Sequence, residues 1–267
     1  MDKNSQILIK EKSDGSVMHL IMNDSECMNA LSEKMLRSLI AAFKRSSEDK
    51  SIKVIVLSAN GNVFSAGHNL KEMQEARKHE DEGKVFFKNL FDLCSSLMQL
   101  IINAPQPVIA EIDGVATAAG CQLVASCDLA IASQESKFGA PGVNIGLFCS
   151  TPMVALSRNI GKKDAMEMLL TGDLISAKKA KEVGLINSVV KKNKLGSAIK
   201  ELSQKIANKS SMTVKTGKKA FYTQAEMDLS EAYEYTSKIM TENLAQHDAK
   251  EGIDAFIEKR SPNWKNE

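Results

Sequence analysis

Two spacings of apolar residues alternate along this chain, and the places where one gives way to the other mark its elements. Period two governs residues 17–22, which end at Asn23 and Asp24, and the apolar stretch 7–9 reads as an earlier strand. Ser32 then precedes Met35, Leu36, Leu39, Ile40 and Phe43 at helical spacing, which predicts a helix with one face on a core. Residues 53–57 are a continuous apolar run of the buried-strand kind. A long amphipathic helix follows over 83–102, with Val85, Phe86, Leu90, Leu93, Leu97, Leu100 and Ile101 inward, stopped by Pro105 and Pro107.

The second half continues in the same way. Strands are predicted over 108–112, 129–132 and 186–190, with a short extended piece at 137–139 and a helix over 119–126. Helices are predicted over 152–160, 162–170 and 176–183, the last closed by Gly184 as its C-cap. The remainder reads as helical, over about 194–209, 211–224, 229–246 and 248–259, with Met212, Phe221, Met240 and Phe256 on faces available to a subunit contact. Strand and helix in alternation predict an α/β fold of ββα or βαβ units.

Two stretches stand out within this pattern. In 107–128 the strand ends at Asp113-Gly114, and Ala118, Ala119 and Gly120 open a helix. In 60–73 a Gly/Asn turn leads through Ser65, Ala66, Gly67 and His68 to a helix starting at Leu70. A helix N-terminus leaves backbone N–H groups without partners, pointing at whatever lies in front of it. Two such turns can each donate one N–H to a single carbonyl oxygen, the device by which enzymes hold a developing oxyanion or enolate. The alternative is that small residues at 118–120 only permit close helix packing.

Composition narrows the class. At 267 residues and 43% apolar content the chain can bury a full core. A net charge of +2 argues against a dedicated nucleic-acid surface, and the absence of any run of 18 apolar residues argues against a membrane span. Five cysteines, at 27, 94, 121, 127 and 149, form no CxxC pair, so reduced thiols are expected rather than disulfides or a zinc site, and no metal site is expected. The first ten residues carry no Arg-rich amphipathic leader.

The segments FSAGHNLKEM, IDGVATAAGCQLVASCDLAIAS, FGAPGVNIG and TGDLISAKKAKEVGLINSVV, in this order and spacing, resemble the enoyl-CoA hydratase/isomerase (crotonase) superfamily. The resemblance implies a ClpP-like crotonase spiral of ββα units over residues 1–200 and a C-terminal helical trimerisation region over 201–267, in a homotrimer or a hexamer. It implies an acyl-CoA thioester as ligand, coenzyme A being part of that ligand and no separate cofactor, and a place in mitochondrial fatty-acid metabolism. The oxyanion hole then falls on the amides of His68 and Ala119, where family members usually have Gly at the second position. Ala66, His68, Leu70, Lys71, Ala119 and Gly120 fall where relatives bind substrate, and Phe256 and Lys259 resemble further CoA contacts, often made by a neighbouring subunit. Asp128 matches a common family residue and is read as holding the fold together.

Hydration of an enoyl thioester needs one group to activate water and one to deliver a proton, and two glutamates do this in the hydratases. By resemblance these positions are Gln122 and Gly142 here. An amide takes no proton near neutral pH and glycine has no side chain. Enoyl-CoA isomerases depend on the carboxylate at the Gly142 position, and dienoyl-CoA isomerases add an Asp where Ser150 stands. Decarboxylases chiefly need the oxyanion hole and carry an SAGH motif like 65–68, but the Tyr they place near the loop falls at Cys149. The expectation is therefore an acyl-CoA binder that is not an efficient hydratase, the alternatives being an enzyme of altered chemistry, decarboxylase- or thioesterase-like, or a weak hydratase or isomerase. The His68 ring reads as a hydrogen-bonding element more than a base, Glu111 and Asp113 as turn and solvent groups, and Cys149 as a pocket-lining thiol without a base.

Overall fold

The computed structural model describes residues 8–266. Strand β1 (Ile9–Asp14) forms a hairpin with β2 (Val17–Met22), and helix α1 (Glu33–Glu48) follows, with the Ser32 hydroxyl accepting from the Met35 N–H at 3.0 Å. The chain then repeats one motif. β3 (Val54–Ala59) joins a first sheet, β4 (Val63–Ser65) a second, and helices α2 (Leu70–Ala76) and α3 (Lys84–Asn103) return the chain. β5 (Val108–Ile112), β6 (Val115–Thr117) and α4 (Ala119–Ser126) do the same, as do β7 (Leu129–Ser133), β8 (Lys137–Gly139), α5 (Ser150–Asn159) and α6 (Lys162–Thr171). The last spiral elements are β9 (Ile175–Ser176), α7 (Ala177–Glu182), β10 (Ser188–Val190) and α8 (Leu195–Ala207).

The first sheet has the order β1-β2-β3-β5-β7-β10, parallel apart from the β1 hairpin, and the second β4-β6-β8-β9. Each ββα unit thus gives one strand to each sheet. One face of the first sheet carries Ile55, Leu57, Val108, Ala110 and Ile112 into the main core with α1, α3 and α4. Its other face puts Val17, Val54, Val56, Ile109 and Ile131 under α8. The residue-200 division falls inside α8, which packs on the sheet, so the structural junction with the helical region lies after Ala207. That region comprises α9 (Ser211–Gln224), α10 (Leu229–Leu244) and α11 (His247–Ile257).

Differences from the predicted elements have plain causes. The strand start at residue 7 lies outside the described residues, and β1 runs on to Asp14 through exposed Lys10, Glu11 and Lys12. An edge strand needs no second apolar face, and charges there discourage pairing with another chain. β4, β6 and β9 are two or three residues long and leave no readable period. By length and a mean hydropathy of 1.4 α3 is apolar enough to cross a bilayer, but Leu90, Cys94, Leu97, Met98 and Ile101 are buried against the core.

One polar cluster fastens α9 to this frame. The Asp128 carboxylate accepts from the Val108 N–H at 2.7 Å, the Lys218 ammonium at 2.6 Å and the Tyr222 hydroxyl at 2.9 Å. Lys218 also donates to the carbonyls of Ile101 and Gln106, each at 3.0 Å, and its side chain is only 7% exposed. At the far end Asp248 accepts from the N–H groups of Lys265 and Asn266, and Trp264 donates to the Asn208 carbonyl, which ties α11 to the start of the helical region. Asp128→Ala would leave a buried ammonium without its counter-charge, and it is expected to lower unfolding free energy by about 3–5 kcal/mol, against about 1 for Tyr222→Phe, as read by urea denaturation. Equal, small losses from both would show the ion pair to be incidental.

Candidate active site

Strand pairing brings the two turns together. β4 runs parallel to β6 with Ser65 opposite Ala116, so the residues three places beyond each, His68 and Ala119, emerge side by side. The approach is close enough to dictate residue type. Gly67 has φ 86°, and a Cβ there would lie 2.9 Å from Ala118 Cβ and 3.2 Å from the Ala119 nitrogen, so no larger residue fits. A Cβ on Gly120 would meet the Ser65 carbonyl oxygen at 2.3 Å. Ala118 takes φ 50° and ψ −121°, a conformation that glycine adopts freely and alanine does not. Strain of this kind collects at functional sites. Among the described residues neither the His68 nor the Ala119 N–H has an acceptor, and Ala119 begins α4, where the helix dipole favours negative charge.

The His68 ring is held on two sides. Its Nδ1 lies 3.2 Å from the Leu31 carbonyl oxygen and the ring meets that of Phe91 in α3 in a T-shaped contact, with centroids 5.4 Å apart. A carbonyl can only accept, so Nδ1 carries the proton and Nε2 keeps a lone pair; Nε2 is buried with no partner among the described residues. Burial pushes the imidazole below its ordinary pKa, so the ring is neutral.

Gln122 sits one turn into α4, buried, with Oε1 4.0 Å from the Cys94 thiol of α3. Gly142 lies in a 3-10 turn at Pro141–Ile145, and its missing side chain leaves no empty room: a Cβ would meet the Leu147 carbonyl oxygen at 2.5 Å and Cys149 Sγ at 2.8 Å. A glutamate there requires the loop to move. Burial pushes the Cys149 thiol up, only partly offset by the Gly142 N–H, and pushes Cys94 and Cys121 up to about 12, so these thiols are protonated at neutral pH.

The other predicted residues divide into two groups. Ala66 and Gly120 lie in the paired turns, the Ala66 N–H donating to the Met28 carbonyl at 3.1 Å, and exposed Leu70 and Lys71 open α2 just beyond. Phe256 and Lys259 belong to α11 and the turn after it, where Phe256 is 85% exposed and α11 packs on α10. Glu111 follows Ile109 on the α8 side of the first sheet, and Asp113 pairs with Lys192 at 2.7 Å, so both have structural surroundings. The sequence reading missed Leu31, Phe91 and Cys94, which contact the site only through tertiary packing. Among the described residues no cluster could hold a metal ion.

Residues 12–267 match the family model described as enoyl-CoA hydratase/isomerase. The chain belongs to the enoyl-CoA hydratase/isomerase family. It is 46% identical over 253 residues to the Xenopus laevis protein named enoyl-CoA hydratase domain-containing protein 3, mitochondrial, covering 95% of this chain and 84% of that one. The Homo sapiens protein of the same name is 46% identical over 251 residues, covering 94% and 81%. The crystal structure of human enoyl coenzyme A hydratase domain-containing protein 3 superposes with a TM-score of 0.92 at 44% identity, over 97% of this chain and 100% of that chain. A Mycobacterium smegmatis enoyl-CoA hydratase structure gives 0.93 at 45% identity, over 97% and 99%. The α/β spiral is therefore the family's crotonase fold.

Two outcomes follow from the local geometry. Ala118→Gly is expected to stabilise the protein by about 1 kcal/mol and Ala118→Val to destabilise it by about 1–3, measured by urea denaturation; the reverse order would mean residue 118 is not strained. Because burial lowers the folded-state pKa of His68, the unfolded chain takes up a proton first as pH falls through about 6.5. Wild-type stability should thus fall relative to His68→Gln between pH 7.5 and 5, and a constant difference in Tm across that range would contradict the buried neutral ring.

Proposed function

We propose that this family member binds acyl-CoA thioesters, with the thioester oxygen between the amides of His68 and Ala119, and that it is a poor enoyl-CoA hydratase. The observation that carries this reading is the pair of unspent N–H groups set side by side by β4 and β6. Two fixed donors, one in the turn before α2 and one at the start of buried α4, polarise a carbonyl without reorganising. They cannot move protons. The two positions that carry the hydratase glutamates by resemblance are a buried amide, Gln122, and Gly142, which is crowded by Leu147 and Cys149. Loss of a positioned acid or base typically costs a factor of about a hundred to ten thousand, so addition of water to crotonyl-CoA should be very slow.

The cellular setting and assembly are read from different support. Relatives carrying the mitochondrial name favour the mitochondrial matrix and fatty-acid metabolism. Large apolar side chains left exposed on α9, α10 and α11, among them Phe221, Leu229, Tyr233, Met240 and Phe256, favour a homotrimer or hexamer built through the helical region, in which Phe256 and Lys259 reach the CoA of a neighbouring subunit.

Calorimetric titration tests the donor pair. A saturated acyl-CoA should bind about tenfold tighter than the matching S-alkyl CoA thioether, which lacks only the carbonyl. Equal affinities would remove the oxyanion reading, and ordinary hydratase turnover of crotonyl-CoA would remove the claim of poor hydration.

A further inference from the structure

A cavity of about 870 Å3 lies between the C-terminal ends of α3 and α4, helix α5 and helix α9, and its volume is that of a small-molecule pocket. It is separate from the paired turns. Ala119 opens α4, whereas Ala125 and Cys127 line the cavity at the other end of that eight-residue helix, about 12 Å away by the helix rise.

The lining divides into an apolar floor and a cationic rim. Ile102 and Pro105 at the end of α3, Ala125 of α4 and Ala155 of α5 make the floor. Two of its carbonyls are already satisfied, since Asn159 Nδ2 donates to Ala125 at 2.9 Å and to Ala155 at 2.8 Å. The C-terminal ends of α3, α4 and α5 turn partial negative charge towards this floor, which therefore suits an uncharged chain and repels an anion. The rim is Lys215, Lys218, Lys219 and Tyr222 of α9, spaced i, i+3, i+4 and i+7 and so on one side of the helix.

Most of the charged groups here are committed. Lys218 spends its three N–H donors on Asp128 and the carbonyls of Ile101 and Gln106, Tyr222 gives its hydroxyl to Asp128, and Arg158 pairs with Glu226 at 3.4 Å. Lys215 and Lys219 remain: both line the cavity, and among the described residues neither enters an ion pair. Like charges four apart on a helix repel each other, and an anion lying between them removes that cost.

We propose that this cavity binds a free medium-chain fatty carboxylate, its chain on the floor and its carboxylate between Lys215 and Lys219. The site is independent of the acyl-CoA reading above, because it shares no residue with the paired turns. An apolar chain with one anionic head matches both halves of the lining, whereas a compact anion leaves the floor uncovered and a neutral chain leaves the two ammonium groups facing each other.

Titration calorimetry of the full chain at pH 7.5 with octanoate, octanol and octyl phosphate tests the assignment. Wild type is expected to bind octanoate saturably and about fivefold or more tighter than octanol, and Lys215→Gln combined with Lys219→Gln to erase that difference. Absence of saturable octanoate binding by wild type overturns the proposal without any variant, as does a preference for octanoate that survives in the folded double variant. Octyl phosphate binding more tightly than octanoate overturns the carboxylate head. Bound octanoate is expected to stay in place when butyryl-CoA is added; its displacement would put it at the paired turns and overturn the separate site.

Discussion

The parallel pairing of β4 with β6 is the contact on which the site depends. Both strands are only three residues long, yet the alignment of Ser65 with Ala116 decides that His68 and Ala119 leave the second sheet as neighbours. The glycine at 67 and the strained backbone of Ala118 are consequences of that closeness, since the two turns almost touch. Two amides without acceptors among the described residues are the result, a pair of fixed donors of the kind that can hold an anionic oxygen.

The spiral supplies the rigidity that such a site needs. Each ββα unit lends one strand to each sheet, so the short second sheet is tied to a six-stranded, mostly parallel first sheet buried on both faces. Asp128 then joins the start of β5, carbonyls in the last turn of α3 and just beyond it, and helix α9 through Val108, Lys218 and Tyr222. The same carboxylate that closes the strand next to the site anchors the helical region to the spiral.

The side chains around the paired amides are poorly suited to proton transfer at neutral pH. His68 is neutral by burial, Gln122 carries no titratable proton, and the nearby thiols are held protonated. The space beside Gly142 is filled by a carbonyl and a sulfur atom. A side chain at position 142 therefore has no room unless the loop moves.

Periodicity and punctuation were enough to locate α1, α3, β2, β3, β5 and α4 nearly to the residue, because each has an apolar face set by the core or a proline that stops it. The paired turns were legible for the same local reason: glycine and small residues between a strand and a helix have few conformations open to them. Short strands such as β6 and the polar edge strand β1 were not legible, since two or three residues, or one buried face, carry no period. The register that places His68 beside Ala119, the Leu31 carbonyl that selects the histidine tautomer, and the crowding at Gly142 are contacts between residues from 5 to more than 50 positions apart. Residue type states what each group can donate or accept; only the folded chain decides which of those groups meet, and among the described residues it leaves His68 Nε2 unmet.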